Sequence, residues 1–234
     1  MGDMTLRSGQ AGAGGLAEAA GSGAVWAVGG PDGVQDAGGD QDRALDVSGL
    51  AAVLALWPVI GSLVAQGELA LHTPLNAYGA EAPDGSTAHH LLTRPGGVPV
   101  LTRFAEHLCG GPLAEYATAR IWRPLGMTRT RLTGATLHTT AADLARFLRH
   151  LLSTADHPIA RAWTAESLRI RTGELTPARG LLWRPAPSGV WSHGDGPALW
   201  ISPTRRRWAV LVPASPGGPP PTAFREAAFA GPLP

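Results

Sequence analysis

Apolar and polar positions alternate in character along this chain, and the changes mark its elements. Ala24–Val28 is a short apolar run, followed by the turn-forming Gly29-Gly30-Pro31-Asp32-Gly33 and then Val34–Ala37. That pattern predicts a strand, a tight turn and a second strand. Leu50–Gln66 is a long apolar helix pattern, with Asp46 and Ser48 placed as N-cap residues before it and Gly67 as its C-cap. Pro58 lies inside this pattern and predicts a kink or a buried bend. Further helix patterns cover Leu101–Leu108, Leu113–Arg123 before Pro124, and Ala141–Leu152, the last opened by Thr139 and Thr140 as cap residues. Strand-like pieces return late in the chain at Gly180–Trp183, Gly189–Ser192, Ala198–Ile201 and Trp208–Val212. A Pro/Gly-rich segment over 213–221 then leads to a final helix pattern, Thr222–Phe229. Strands at both ends around a helical middle predict an α+β fold, with one antiparallel sheet built from the two chain ends and flanked by helices.

Composition adds limits. A chain of 234 residues, 44% hydrophobic and 16% charged, can bury one substantial core. Residues 1–22 are Gly/Ala-rich and read as a flexible N-terminal arm, leaving 23–234 as a single domain. No strand precedes Gly12, Gly14 and Gly15, so they do not make a dinucleotide loop. Formal net charge is +1, so no global field favours nucleic acid. The one basic run, Arg205-Arg206-Arg207, reads as a solvated turn between strands. No basic start followed by an apolar core opens the chain, and Pro58 and Gly61 interrupt its most apolar stretch. A soluble cytoplasmic protein without membrane contact is therefore expected. A single cysteine, Cys109, excludes an internal disulfide and reads as a small buried apolar residue in a helix. His89 and His90 have no partner at ligand spacing, so neither a metal nor a cofactor is expected.

Five segments, in order, resemble the serine β-lactamase and penicillin-binding-protein-like hydrolases, which include class C β-lactamases, D-alanyl peptidases and esterases. LDVSGLAAVLALWPVIGSLVAQGELALHTPL (45–75) is similar to that family's catalytic helix and its continuation "LVEEGKLxLDxPV". HHLLTRPGGV (89–98) resembles "RHLLTHTSGL", and GGPLAEYATARIWRPLGMTRT (110–130) resembles "GxPLxEFxxxxIxxPLGMxxT". HTTAADLARFLRHLL (138–152) and HGDGPALWISP (193–203) resemble "FSTAxDLARFxxxLL" and "HTGxxGxSLWxDP". The resemblance implies a β-lactamase-like fold with a reduced helical lobe.

It does not bring the catalytic residues with it. The family reaction uses a Ser-x-x-Lys pair one helical turn apart, and the 19 Lys and Arg of this chain are all arginines. Gly49 and Ala52 stand at the aligned Ser and Lys positions, or Leu50 and Val53 in the neighbouring register. The stretch that carries the family's Tyr-x-Asn motif is missing after Gly97. The third motif is the best preserved, in Trp191-Ser192-His193-Gly194-Asp195-Gly196.

Four polar residues remain as candidates for chemistry: Asp46, Ser48, His193 and Asp195. Ser48 is the hydroxyl nearest the lost nucleophile, but Ala51 at its i+3 position supplies no base, and a plain N-cap accounts for it. Asp46 is either a cap or a general base. His193 and Asp195 on one strand would face the same side and form an acid–base pair. Trp57, Trp191 and Trp200 either pack the core or line a ligand pocket. Three functions follow. One is a repurposed cleft that acts on a small molecule by non-covalent cyclisation or elimination chemistry in a biosynthetic pathway. Another is a non-catalytic subunit that binds a partner protein or dimerises. The third is a weak esterase acting through Ser48.

Overall fold

The computed structural model describes residues 10–172, 177–215 and 222–230. Its main feature is a six-stranded antiparallel sheet in the order β2-β1-β9-β8-β7-β6. Strands β1 (Val25–Gly30) and β2 (Gly33–Gly38) come from one end of the chain. Strands β6 (Arg184–Ala186), β7 (Val190–His193), β8 (Ala198–Ser202) and β9 (Arg207–Val212) come from the other. The expected α+β class and the shared sheet are thus both present. The closing pair is β1 with β9, in register from Val25 opposite Val212 to Gly29 opposite Trp208.

Both faces of this sheet are covered, which explains why its central strands are apolar at successive positions rather than alternating. On one face Val25, Ala27, Leu199, Ile201, Trp208 and Val210 join the large core of the helical lobe. On the other face Trp26, Val28, Trp200, Ala209 and Leu211 pack on Leu16, Ala20, Phe224 and Phe229. Leu16 and Ala20 belong to α1 (Gln10–Ala20), and Phe224 and Phe229 to α8 (Thr222–Phe229). The flexible arm expected over 1–22 is therefore corrected from residue 10 onward. A helix forms there because Leu16 and Ala20 can bury against α8 and the sheet. Residues 1–9 lie outside the described residues, as does part of the Pro/Gly-rich 213–221 segment.

The lobe between the strands holds α2 (Trp57–Ala65), α3 (Ala88–Thr93), α4 (Val98–Cys109), α5 (Leu113–Ala117), α6 (Ala141–Leu152) and α7 (Arg161–Ser167). A small second sheet, in the order β3-β5-β4, joins Leu45–Asp46, Thr136–Thr139 and Arg131–Thr133. The apolar run from residue 50 does not form one α-helix. It begins as a 3-10 turn over Ser48–Leu50, widens to a π turn over Ala52–Leu56, and becomes α2 at Trp57. Pro58 lacks the N–H that would bond the Leu54 carbonyl in an α turn. The indole of Trp122 donates to that carbonyl instead, at 2.8 Å. Gly67, with φ of 76°, ends the helix as expected. Thr140 caps α6 by accepting from Asp143 N at 3.1 Å, while Thr139 is the last residue of β5. Arg205 and Arg206 lie in the turn between β8 and β9, and Arg207 opens β9. No helix among the described residues is long and apolar enough to cross a membrane.

Candidate functional site

Where the helical lobe meets the β6–β7 edge of the sheet there is a cleft of about 320 Å³. Gly49 forms part of it, from the 3-10 turn over Ser48–Leu50. Leu92–Gly96 contribute from the end of α3, Arg179, Gly180, Leu182 and Trp183 from the loop before β6, and His193–Gly196 from the end of β7. Of the four residues in the two helix registers that the sequence left open, Gly49 is the one that lines the cleft. Leu50 and Val53 are fully buried, so neither can meet a ligand. Gly49 lines the cleft, and a Cβ built on it would have no atom within 4 Å.

His193 is the titratable group most tightly held here. Its Nδ1 lies 2.6 Å from the Leu182 carbonyl. A carbonyl only accepts, so the proton sits on Nδ1 and the neutral ring keeps its lone pair on Nε2. Burial pushes the pKa of His193 down, and nearby Arg184 adds to this; the Leu182 carbonyl, Asp195 and the Gly49 backbone act in the opposite direction without reversing it. The neutral, basic form therefore persists below the usual histidine range. Leu182 holds a φ of 65°, in the left-handed region. For a residue with a side chain that costs on the order of 1–2 kcal/mol, and it occurs at the residue whose carbonyl fixes the imidazole. The Trp183 ring meets the His193 ring edge-on at 6.1 Å.

The expected His193–Asp195 pair is not formed. The strand ends at His193, and Gly194 turns the chain with a φ of 94°. A Cβ on Gly194 would come within 2.1 Å of the Pro197 carbonyl, so glycine alone permits that turn. Asp195 is consequently carried off the strand line into solvent. There it pairs with Arg184 at 2.6 Å, and the same Arg184 nitrogen also donates to Gly194 O at 2.8 Å. Same-strand facing had suggested the pair; the glycine turn overrides it.

Asp46 and Ser48 are not among the residues lining the cleft. Ser48 Oγ donates to Asp46 Oδ1 at 2.6 Å and accepts from Leu137 N at 3.1 Å. Asp46 Oδ1 also accepts from Ser48 N at 2.9 Å. The pair clamps the 3-10 turn to the small sheet rather than capping a helix by the expected N-cap bond. The Ser48 hydroxyl, helped by its backbone N–H, holds the Asp46 carboxyl below the usual range.

The tryptophans divide as core. Trp57 is fully buried, donates to Ser167 Oγ at 2.9 Å and packs on Phe147, Trp163 and Trp183. Trp200 packs on Phe224 beneath the other face of the sheet. Trp183 is the tryptophan that reaches the cleft, together with Arg94, Arg179 and Arg184, and the sequence patterns singled out none of these. One signal existed: a turn at Gly194 places Arg184 and Asp195 together across the β6–β7 hairpin, where Arg184 stands opposite Ser192. His89 is half-buried and stacks on His72 with ring centres 4.6 Å apart, while His90 is exposed. Among the described residues no group of three or more His, Cys, Asp or Glu side chains is arranged to hold a metal ion.

Neither a family model nor a curated protein matches the chain. Solved structures do. A β-lactamase from Mycobacterium bovis is 24% identical, with a TM-score of 0.71 over 84% of this chain and 89% of its own. The hydrolase EstCE1, described as having promiscuous acyltransferase activity, is 12% identical, with a TM-score of 0.76 over 94% and 99%. An octameric penicillin-binding protein homologue from Pyrococcus abyssi is 15% identical, with a TM-score of 0.74 over 92% and 74%. Likeness to these structures at TM-scores of 0.71 to 0.76 shows the fold, and this chain has the serine β-lactamase and penicillin-binding-protein-like fold.

Proposed function

We propose that this protein uses a β-lactamase-like cleft to bind a small metabolite and to transform it by non-covalent proton transfer, as in a cyclisation or elimination of a biosynthetic pathway. The observation that carries the reading is His193. Its proton is committed to the Leu182 carbonyl on Nδ1, and desolvation keeps its Nε2 lone pair unprotonated and available in the cleft. Opposite, Gly49 presents no side chain, so no hydroxyl stands at the aligned position for acyl transfer. His193 Nε2 accepts a proton from a C–H or O–H of the ligand. The electron pair so released closes a ring or expels a leaving group, and the proton returns to product or solvent. Orientation within the cleft supplies the remainder of the acceleration. Asp46 and Ser48 act in this reading as supports of the Gly49 turn, and no serine ester forms.

The test is conversion of metabolites in an extract of the native host, followed by mass spectrometry. The wild-type protein is expected to convert at least one component. His193→Ala should lower that rate by about a hundredfold or more, in line with general-base contributions. A fluorophosphonate should add no mass to the intact protein. An unchanged rate in His193→Ala removes the role assigned to His193, and a covalent adduct removes the non-covalent mechanism.

A further inference from the structure

Every fixed cationic side chain in this protein is an arginine, so the charge of the cleft can be followed arginine by arginine. Arg94, Arg179 and Arg184 line the cleft. Beside it lies a second compartment of about 580 Å³, lined by His89, His90 and Arg171 among others. The two spaces share Thr93, Arg94, Pro95 and Arg179 as a common wall. Two of these four arginines are already matched. Arg184 is paired with Asp195 at 2.6 Å. Arg171 is paired with the Glu166 carboxylate and also donates to the Glu166 carbonyl at 3.2 and 3.3 Å. Among the described residues, the guanidinium groups of Arg94 and Arg179 make no hydrogen bond or ion pair. Thr93 of the wall and Thr172 of the second compartment are not spare donors. Thr93 Oγ1 donates to His89 O and His90 O, and Thr172 Oγ1 donates to Pro177 O.

The backbone that carries these two arginines is pinned. Arg179 N donates to Thr172 Oγ1 at 3.0 Å, and Arg179 O accepts from Arg171 N at 2.7 Å. Leu182 N donates to Leu92 O at 2.8 Å, which ties the loop of Arg179 to the helix that ends beside Arg94. Two guanidinium forks on one wall, without a partner among the described residues, suit the planar or tetrahedral oxygens of an anion.

We infer that the small molecule taken up by this protein carries a carboxylate or phosphate group, seated at the wall shared by Arg94 and Arg179, with its reacting end extending to Gly49 and His193. The inference rests on the proposed function only in taking the cleft as the ligand site; the anion seat itself involves no catalytic step.

The seat is tested by calorimetric titration at low ionic strength with two probes, inorganic pyrophosphate and oxalate. The set of proteins is the wild type, Arg94→Gln, Arg179→Gln and Arg123→Gln, the last altering an exposed arginine of another element. At least one probe should bind the wild type with one-to-one stoichiometry. Each of Arg94→Gln and Arg179→Gln should weaken it by about tenfold or more, the loss expected for one charge-assisted contact. Arg123→Gln should bind as the wild type does. Absence of binding by both probes, equal weakening in Arg123→Gln, or unchanged binding in both wall variants overturns the seat. The two readings fail separately. Conversion that depends on His193 without any probe binding removes only the anion seat. Probe binding at the wall with conversion unaltered by His193→Ala removes only the catalytic role.

Discussion

The Ser48 hydroxyl has both a donor and an acceptor role filled, by Asp46 Oδ1 at 2.6 Å and Leu137 N at 3.1 Å. Leu137 is fully buried, so replacing Ser48 with alanine removes the side-chain acceptor of its backbone N–H. Ser48→Ala is expected to cost about 1–2 kcal/mol in urea unfolding, the range for an abandoned buried donor. The carboxyl of Asp46 should at the same time move up toward the ordinary aspartate range in an NMR titration, because the Ser48 hydroxyl is the largest cause of its depression. Unchanged stability and an unmoved Asp46 would show that the clamp contributes nothing. Cys109, expected as a small buried apolar residue, is only half-buried; desolvation, then Glu68 and Glu106, push its thiol up to about 11, so little thiolate is present near neutrality.

Among elements, the start of the second helix carries the most information. Its hydrogen-bond register changes twice between Ser48 and Trp57, and the carbonyl that Pro58 cannot serve is taken by the indole of Trp122 from across the lobe. Trp122→Phe keeps an aromatic ring and deletes that donor. A loss of roughly 2–3 kcal/mol is expected, from one unsatisfied buried carbonyl and a smaller side chain. Pro58→Ala restores a backbone N–H within reach of Leu54 O, so the double variant should lose less than the sum of the two single changes. Additive losses would separate the proline from the indole. Hydrophobic period found the apolar run Leu50–Gln66 but not its 3-10 and π turns, because apolar spacing carries no record of which carbonyl each N–H meets. The same blindness placed a strand at Gly180–Trp183. Leu181 and Trp183 are buried there, but in a loop, and the edge strand begins at Arg184. Pro185 suits that edge position. The small sheet was missed because Leu45–Asp46 is too short to show a period. His193 was legible through its motif, and Arg94 and Arg179 were not, since their meeting depends on folding two distant segments onto one wall.

At the scale of the whole molecule, three histidines share one displacement. His89, His150 and His193 all have pKa values below the ordinary one, each with desolvation as the largest cause. His72 adds to the effect at His89, where Arg171 and His90 act the same way and Glu166 opposes them. At His150 the Ile159 backbone opposes desolvation, His157 reinforces it and Asp156 opposes it. The unfolded chain protonates these rings near pH 6.5, while the folded chain does so only at lower pH. Between those values the unfolded state binds more protons, so stability rises with pH and is lost as pH falls. Asp46 adds a second loss only in the carboxylate range, since its depressed pKa leaves it ionised in the folded state when the unfolded chain has begun to protonate it. The melting temperature should therefore fall as pH is lowered from 7 to 5, with a slope in free energy of at most about 1.4 kcal/mol per pH unit for each extra proton bound by the unfolded state. His193→Gln, which keeps a polar side chain of similar reach but does not titrate, should flatten that dependence. A melting temperature constant or rising toward pH 5 would mean that these rings reach water in the folded protein. His193 would then also lack the desolvation that keeps its Nε2 unprotonated in the cleft, and the proposed proton transfer would lose its physical support.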